Sequence, residues 1–158
     1  MRTFERNVPI TTHPMRRALV LVDDSSASIL VVDRAIHVVR NLPGADIVLL
    51  NVSPSPALWQ KRSGDDKRQQ ELSMRILRRF HDIAEYAGVK ARCRVECGEV
   101  AEVATKIAGE EFCDHIFMRG PTSTLSERTL DLLSGLGAGS IKNRIQSLSQ
   151  LPVTVVLG

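Results

Sequence analysis

Apolar residues in this chain fall into short continuous runs, separated by stretches in which they recur at helical spacing. The first run, Ala18-Leu19-Val20-Leu21-Val22, is short and partly β-branched, which suits a parallel strand buried on both faces. Ile29, Val32, Ala35, Ile36 and Val39 then repeat at helical spacing up to Asn41. That pattern predicts a helix that Ser25 or Ser26 caps and Pro43-Gly44 ends. Ile47-Val48-Leu49-Leu50-Asn51-Val52 is a second buried strand, broken by Ser53-Pro54-Ser55-Pro56.

A polar loop over 53–66 holds the sole tryptophan, Trp59, which would anchor the loop, stack on a base or pack on a partner. A long helix is predicted from Asp65 to Ala87, with Leu72, Ile76, Phe80 and Ile83 on its core stripe and Gly88 at its C-terminal stop. Val89 to Cys97 alternates basic and apolar residues, the mark of a strand at a sheet edge. Gly98-Glu99 leads into a helix over Val100–Phe112, and Asp114 to Met118 forms a fourth strand. After a polar, Gly-rich stretch from Arg119 to Gly139 come a helix over Ser140–Leu148 and a last strand, Val153 to Leu157.

Strand and helix therefore alternate throughout, which implies an α/β fold with an open parallel five-stranded sheet and helices on both faces, Rossmann-like in kind. Ligands in such sheets sit beyond the carboxyl ends of the strands, where the strand order reverses. Asp23-Asp24, Asn51-Val52 and Arg119-Gly120 all fall at carboxyl ends.

Length and composition fit one domain over 15–158 behind a flexible leader over 1–14. The chain has 158 residues, 43% hydrophobic and 25% charged, with 4% aromatics, so the core must be aliphatic. A formal charge of +3 comes from basic residues interspersed with carboxylates, a mildly basic surface and not a stripe for nucleic acid. The helix bearing Arg75, Arg78 and Arg79 reads as a solvated face, with an acidic protein partner as its other use. No apolar run approaches the roughly 18 to 20 residues that span a bilayer, so no membrane is expected. The leader lacks a secretory apolar region, and the cytoplasm is the expected compartment.

Cysteines and histidines form no evident centre. Cys93 and Cys97, four apart on a strand, sit about 13 Å from one another and cannot pair; they read as buried structural thiols. His37 reads as a partly buried packing residue of its helix. No catalytic residue and no metal ligand is assigned.

Two families share features of this chain. The acidic pair after the first strand resembles the metal-binding start of a phosphoacceptor receiver domain, and Asp46 to Asn51 mimics its acceptor strand. Asn51, however, stands where the acceptor would be, and an amide cannot form an acyl phosphate. One helix, not a helix, strand and helix, separates the two segments, and a late Lys-Pro is replaced by Leu151-Pro152.

From Met15 to Gly158 the chain resembles the universal stress protein family. The features are Val22-Asp23-Asp24-Ser25 after the first strand, Asn51-Val52 ending the second, Gly98-Glu99 before the third helix, Asp114 to Met118, and Leu151-Pro152-Val153-Thr154-Val155-Val156. Their order along the chain carries the resemblance. It implies strand order 3-2-1-4-5, a homodimer formed beside the C-terminal strand, and a non-enzymatic role in stress response or signalling. Some members bind ATP through Gly-x-x-Gly followed by Gly-Ser or Gly-Thr, whose backbone N–H groups approach the phosphates.

Here that motif is degraded. Its glycine positions fall on Arg119 and Thr122, or on Gly120 and Ser123 after a shift of one, and Gly139-Ser140 arrives late. Either Gly135, Gly137 and Gly139 form a replacement phosphate nest, with Ser140 as anchor and Lys142 or Arg119 supplying charge, or they only turn a long loop. The expected nucleotide site, if retained, comprises Asp23, Ser25, Val52, Arg119, Gly120, Gly137, Gly139 and Ser140, with ATP and Mg as its ligand. Asp23 would then face adenine or ribose, as the resemblance implies. The expected function is a homodimeric stress-response or signalling protein with weakened or absent nucleotide binding; the alternative is an ATP-binding switch using the 135–140 loop.

Overall fold

The computed structural model describes residues 15–53, 65–120 and 138–157. Along them strands and helices alternate as β1 (Arg17–Leu21), α1 (Ala27–Val39), β2 (Asp46–Ser53), α2 (Asp65–Tyr86), β3 (Ala91–Cys97), α3 (Val100–Glu110), β4 (His115–Arg119), α4 (Ala138–Leu148) and β5 (Val153–Val156). The leader 1–14, Trp59, Gly135 and Gly137 lie outside the described residues. All strand pairings are parallel and the order is β3-β2-β1-β4-β5, the 3-2-1-4-5 arrangement expected above. A receiver domain, of flavodoxin-like order 2-1-3-4-5, is a different topology.

Because side chains alternate across a strand, a run that is apolar at every position must serve two cores. Val20, Ile47, Leu49 and Phe117 face α1 and α2, where they meet Val32, Ile36, Leu77 and Phe80. Leu19, Val48, Leu50, Ile116 and Met118 face α3 and α4, where they meet Ala104, Ile107, Ala108 and Ile145. Each such Leu, Ile or Val, wholly withdrawn from water, stabilises the fold by about 1.5–3 kcal/mol. At the amino end of the sheet Arg17 forks onto both carboxylate oxygens of its register partner Asp46, and its Nη1 donates to the Glu111 carbonyl at the end of α3.

Helix α2 is rotated slightly from the predicted stripe. Ser73, Leu77, Phe80 and Ala84 are buried, whereas Leu72 is exposed. At about 100° per residue, turning Leu77 and Ala84 fully inward brings Ser73 in and carries Leu72 out. His37 likewise lies on the exposed side of α1, not in its packed face. Cys97, at the end of the edge strand, is exposed, while Cys93 is half-buried and Cys113 buried.

Two helices end in the same way with different residues. After α2, Gly88 takes φ +80°, and the Gly88 and Val89 N–H groups donate to the Glu85 and Ala84 carbonyls, a Schellman closure. After α3, Phe112 takes φ +56°, and the Phe112 and Cys113 N–H groups donate to Gly109 and Ala108. A side chain with a Cβ costs about 1–2 kcal/mol in this left-handed conformation, and Phe112, 85% exposed, recovers little by packing.

Phe112→Gly is therefore expected to stabilise the fold by about 0.5–1 kcal/mol after the extra chain entropy of glycine is subtracted. Urea unfolding measures this directly; a lowered midpoint would mean that the Phe112 ring has a partner that its exposure conceals.

Candidate functional site

Strand β1 lies between β2 and β4, and the chain leaves β1 through α1 on one face and returns to β4 through α3 on the other. A crevice opens where those crossovers part, beyond the carboxyl ends of β1 and β4. It holds a cavity of about 170 Å³. Val22, Leu50, Val52, Met118 and Ile141 form apolar walls, and Asp23 and Arg119 stand at the polar end.

The β1 lip is fixed by three side chains. Asn51, buried at the end of β2, donates from Nδ2 to the Val22 carbonyl at 2.9 Å. Asp23 then turns the chain into α1: its Oδ1 accepts from the Ser25 N–H at 2.9 Å and from the Ser28 hydroxyl at 2.8 Å. The Ser28 oxygen in turn accepts the Asp23 N–H at 2.8 Å. This reciprocal bracket replaces the expected serine cap. Ser26 occupies the N-cap position without a side-chain hydrogen bond, and the buried Ser25 Oγ has no hydrogen-bond partner.

Arg119, the last residue of β4, sets its Nε 3.1 Å from Asp23 Oδ2. Burial of the Asp23 carboxylate acts to raise its pKa, but the hydrogen bonds from Ser25 and Ser28 and the Arg119 charge outweigh it, and the net shift is downward. Asp23 is thus an anion whose oxygens are engaged by its own chain. The pair is partly open to water, with side-chain exposures of 36% for Arg119 and 41% for Asp23.

Gly120 is committed to the sheet. Its N–H donates to the Val156 carbonyl at 2.7 Å, and a Cβ there would lie 2.5 Å from Leu157 Cδ2, 3.0 Å from Val155 Cγ1 and 3.3 Å from the Val156 oxygen. The absent side chain is what lets β5 approach. Helix α4 begins at Ala138, two residues before the expected start. Gly139 and Ser140 therefore sit inside its first turn and Ser140 is not its cap, in keeping with the strong helix preference of alanine.

Of the expected site residues, the structure brings together Asp23, Ser25, Val52 and Arg119 around the crevice, and Gly120 follows directly on Arg119. Gly137 lies outside the described residues. Sequence reasoning missed Ser28, although a serine on the buried face of α1 beside Val31, Val32 and Ala35 is a polar group that must find a partner. It also missed Met118 and Ile141 as walls. Lys142, the other cation considered for this site, is half-buried on α4.

Several ionisable groups elsewhere tie elements of the fold together. Glu99 caps α3 through the N–H groups of Ala101 and Glu102, and Arg144 of α4 pairs with Glu99 and Glu102, fastening the two helices together. His115 Nε2 lies 2.7 Å from Thr154 Oγ1, joining β4 to β5, and burial lowers its pKa. The Cys113 thiol, pushed up to about 12 by burial, is protonated and inert at neutral pH. Among the described residues no group of three or more His, Cys, Asp or Glu is arranged to hold a metal ion, and no helix is long and apolar enough to cross a membrane.

A doubly wound parallel sheet with a crevice at its switch point defines the general class. Residues 14–156 match the Universal stress protein family, and the chain belongs to that family. Solved structures share its fold. A universal stress protein family member from Burkholderia pseudomallei superposes with a TM-score of 0.69 at 19% identity, over 90% of this chain and 96% of the other. A universal stress protein in complex with cAMP gives 0.62 at 22% identity, over 90% and 96%. One from Archaeoglobus fulgidus in complex with dAMP gives 0.61 at 16% identity, over 89% and 96%. A comparison with curated proteins finds no match.

The site geometry yields two expected outcomes. Gly120→Ala should destabilise the protein by about 1–3 kcal/mol, the usual cost of overpacking, because Val155 and the Val156 carbonyl must retreat; an unchanged melting temperature would mean that β5 yields freely. Asp23 has a folded-state pKa below its unfolded value, so its contribution is present above the unfolded value and is lost as pH falls through the folded one. Urea midpoints of wild type and Asp23→Asn should therefore converge on acidification from about pH 5 to pH 3, and parallel curves would contradict the depressed pKa.

Proposed function

We propose that the protein is a non-enzymatic stress-response or signalling member of its family, acting as a homodimer through β5 with weakened adenine-nucleotide binding. The observation that carries the reading is the state of Asp23: both of its oxygens are engaged, by Ser25 and Ser28 on one side and Arg119 on the other. A ligand that donates to the carboxylate must share Oδ2 with Arg119, because Oδ1 already accepts from Ser25 and Ser28. The cavity of about 170 Å³ is also smaller than the roughly 300 Å³ or more of pockets that enclose a drug-sized ligand. The described residues suit a base or sugar, and they do not suit a triphosphate, since the Gly120 N–H is already used in the sheet.

The dimer reading rests on the unequal edges of the sheet. On β3, Arg94 is tied to Glu96, Glu110 and Glu111, and Arg92 to Glu111, a charged edge of the kind that resists pairing. On β5, Val153, Thr154, Val155 and Val156 are half-exposed and Leu157 is exposed. A second copy of the chain would cover this apolar edge.

One observation favours the second reading, an ATP-binding switch. Gly139 and Ser140 lie in the first turn of α4, where backbone N–H groups lack helical partners and the dipole attracts anions. Structures of family members in complex with cAMP and dAMP support a nucleotide as the ligand.

Calorimetric titration with ATP and Mg, alongside native mass spectrometry, separates the readings. The proposal expects binding weaker than micromolar and a species of twice 17.5 kDa. Micromolar binding would favour the switch, and a monomer at all concentrations would remove the dimer.

A further inference from the structure

We infer that the outer stripe of α2 docks an acidic protein segment, one that seats an apolar side chain on Met74 between the cations of Lys67, Arg75 and Arg78. Helix α2 packs over β2 and β3, at the other end of the sheet from β5, and contributes no wall to the crevice. The surface is therefore separate from both the crevice and the proposed dimer edge.

The inner side of α2 is committed to the core through Ser73, Leu77, Phe80 and Ala84. On the outer side Lys67, Glu71, Met74 and Arg78 succeed one another at spacings of three or four, with Arg75 beside them, so they share a face. Together with Gln70 they line a groove of about 430 Å³. From Lys67 to Arg78 the stripe runs about 16 Å along the helix axis, the length of roughly five residues of extended chain.

Three cations and one carboxylate surround a methionine that is 40% exposed. Arginine and methionine are residues that protein interfaces concentrate, and a methionine adapts its shape to what it meets. Arg17, Arg92, Arg94 and Arg144 are each tied to carboxylates of their own chain. Arg75 and Arg78 have no such partner among the described residues, although Glu71 stands one turn from Arg75. Their guanidinium forks are left to take carboxylates from outside, two N–H groups at a time.

The same chemistry disfavours other polyanions. A helix that lies on a lipid surface needs an apolar face free to enter it, and the apolar face of α2 is in the core. Nucleic-acid phosphates would meet Glu71 within the stripe and Asp82 and Glu85 beyond it, whose side chains are 75% and 50% exposed. An acidic segment confined to the 67–78 part of the helix avoids the last two.

The test is fluorescence anisotropy with a labelled synthetic peptide of glutamates around a central leucine, and with the same peptide carrying serine for leucine. Wild type should bind the leucine peptide saturably at low salt, and less tightly as salt screens the charges. Arg75→Gln and Arg78→Gln should each weaken binding about threefold, the scale of an exposed ion pair. Lys106→Gln, which removes an exposed cation from α3 on the opposite face of the sheet, should leave it unchanged. The serine peptide should bind wild type about fourfold more weakly, the size of one buried methylene, and Met74→Gln should erase that difference. Equal losses from Lys106→Gln would overturn the inference by making the attraction a property of the whole surface. Two peptides bound equally by wild type would overturn the anchor at Met74, and no saturable binding would overturn the docking surface itself. Tighter binding to vesicles of phosphatidylserine and phosphatidylcholine than to the peptide would overturn it in favour of a lipid. Because the substituted side chains face water, melting temperatures should hold; a variant that failed to fold would contradict that placement, and the two peptides compared on wild type still decide the rest.

Discussion

The position of β1 governs the rest of the structure. It has a strand on each side, β2 and β4, and Ala18, Leu19 and Val20 at its centre are wholly buried. Right-handed crossovers carry the chain away on one face and bring it back on the other, so a gap at the carboxyl end of β1 follows from the strand order itself. Whatever residue follows the strand must then be both at a helix entrance and at the rim of a cavity. In this chain Asp23, two residues past the end of β1, holds both places, and its two duties are divided between its two oxygens: Oδ1 shapes the turn into α1, and Oδ2 faces Arg119.

That division explains why the glycine motif and the acidic lip have to be considered together. An arginine at the end of β4 places a positive charge where the resemblance implied a glycine, and its nearest described counter-charge is Asp23. The next residue, Gly120, retains a glycine for a reason internal to the fold, the close approach of β5. A glycine within a matching region thus serves sheet packing, while the residue beside it supplies the charge. Asn51 carries a parallel lesson: the amide that excluded an acyl phosphate holds the Val22 carbonyl and thereby sets the height of the β1 lip.

Much of this was legible in the sequence because the signals were local or repeated. Apolar runs located four of the five described strands, Gly88 marked the end of α2, and the alternation of Lys90 to Val95 both located β3 and marked it as an edge. The family resemblance supplied the strand order, which periodicity does not encode. What escaped was geometry between elements or between adjacent helix positions. Leu72 and Ser73 differ by one step around α2, a step that only the packing of Leu77 and Ala84 against the sheet decides. Ser28 was hidden because attention to serine capping favoured Ser25 and Ser26, whereas the hydroxyl used lies two to three residues further into the helix. The Arg119–Asp23 pair joins residues 96 positions apart by sequence number, and no spacing rule connects them.

The two sheet edges extend the argument from local chemistry to assembly. Both β3 and β5 present one side to a neighbour and one to the outside, and an exposed strand edge tends to pair with another chain. At β3 the carboxylates of α3's last turn reach back over the strand to Arg92 and Arg94, which makes addition of a further strand cost the desolvation of several charges. No comparable charged cover lies among the described residues of β5, whose side chains are aliphatic apart from Thr154, and Thr154 is engaged inward with His115. Gly120 draws this strand tightly onto β4, so the edge offered outward is held firmly from within. An uncharged edge joined directly to the residue that follows Arg119 puts the proposed dimer seam on the outer side of β5 and the crevice on the far side of β4, so the short β4–β5 pair separates the two.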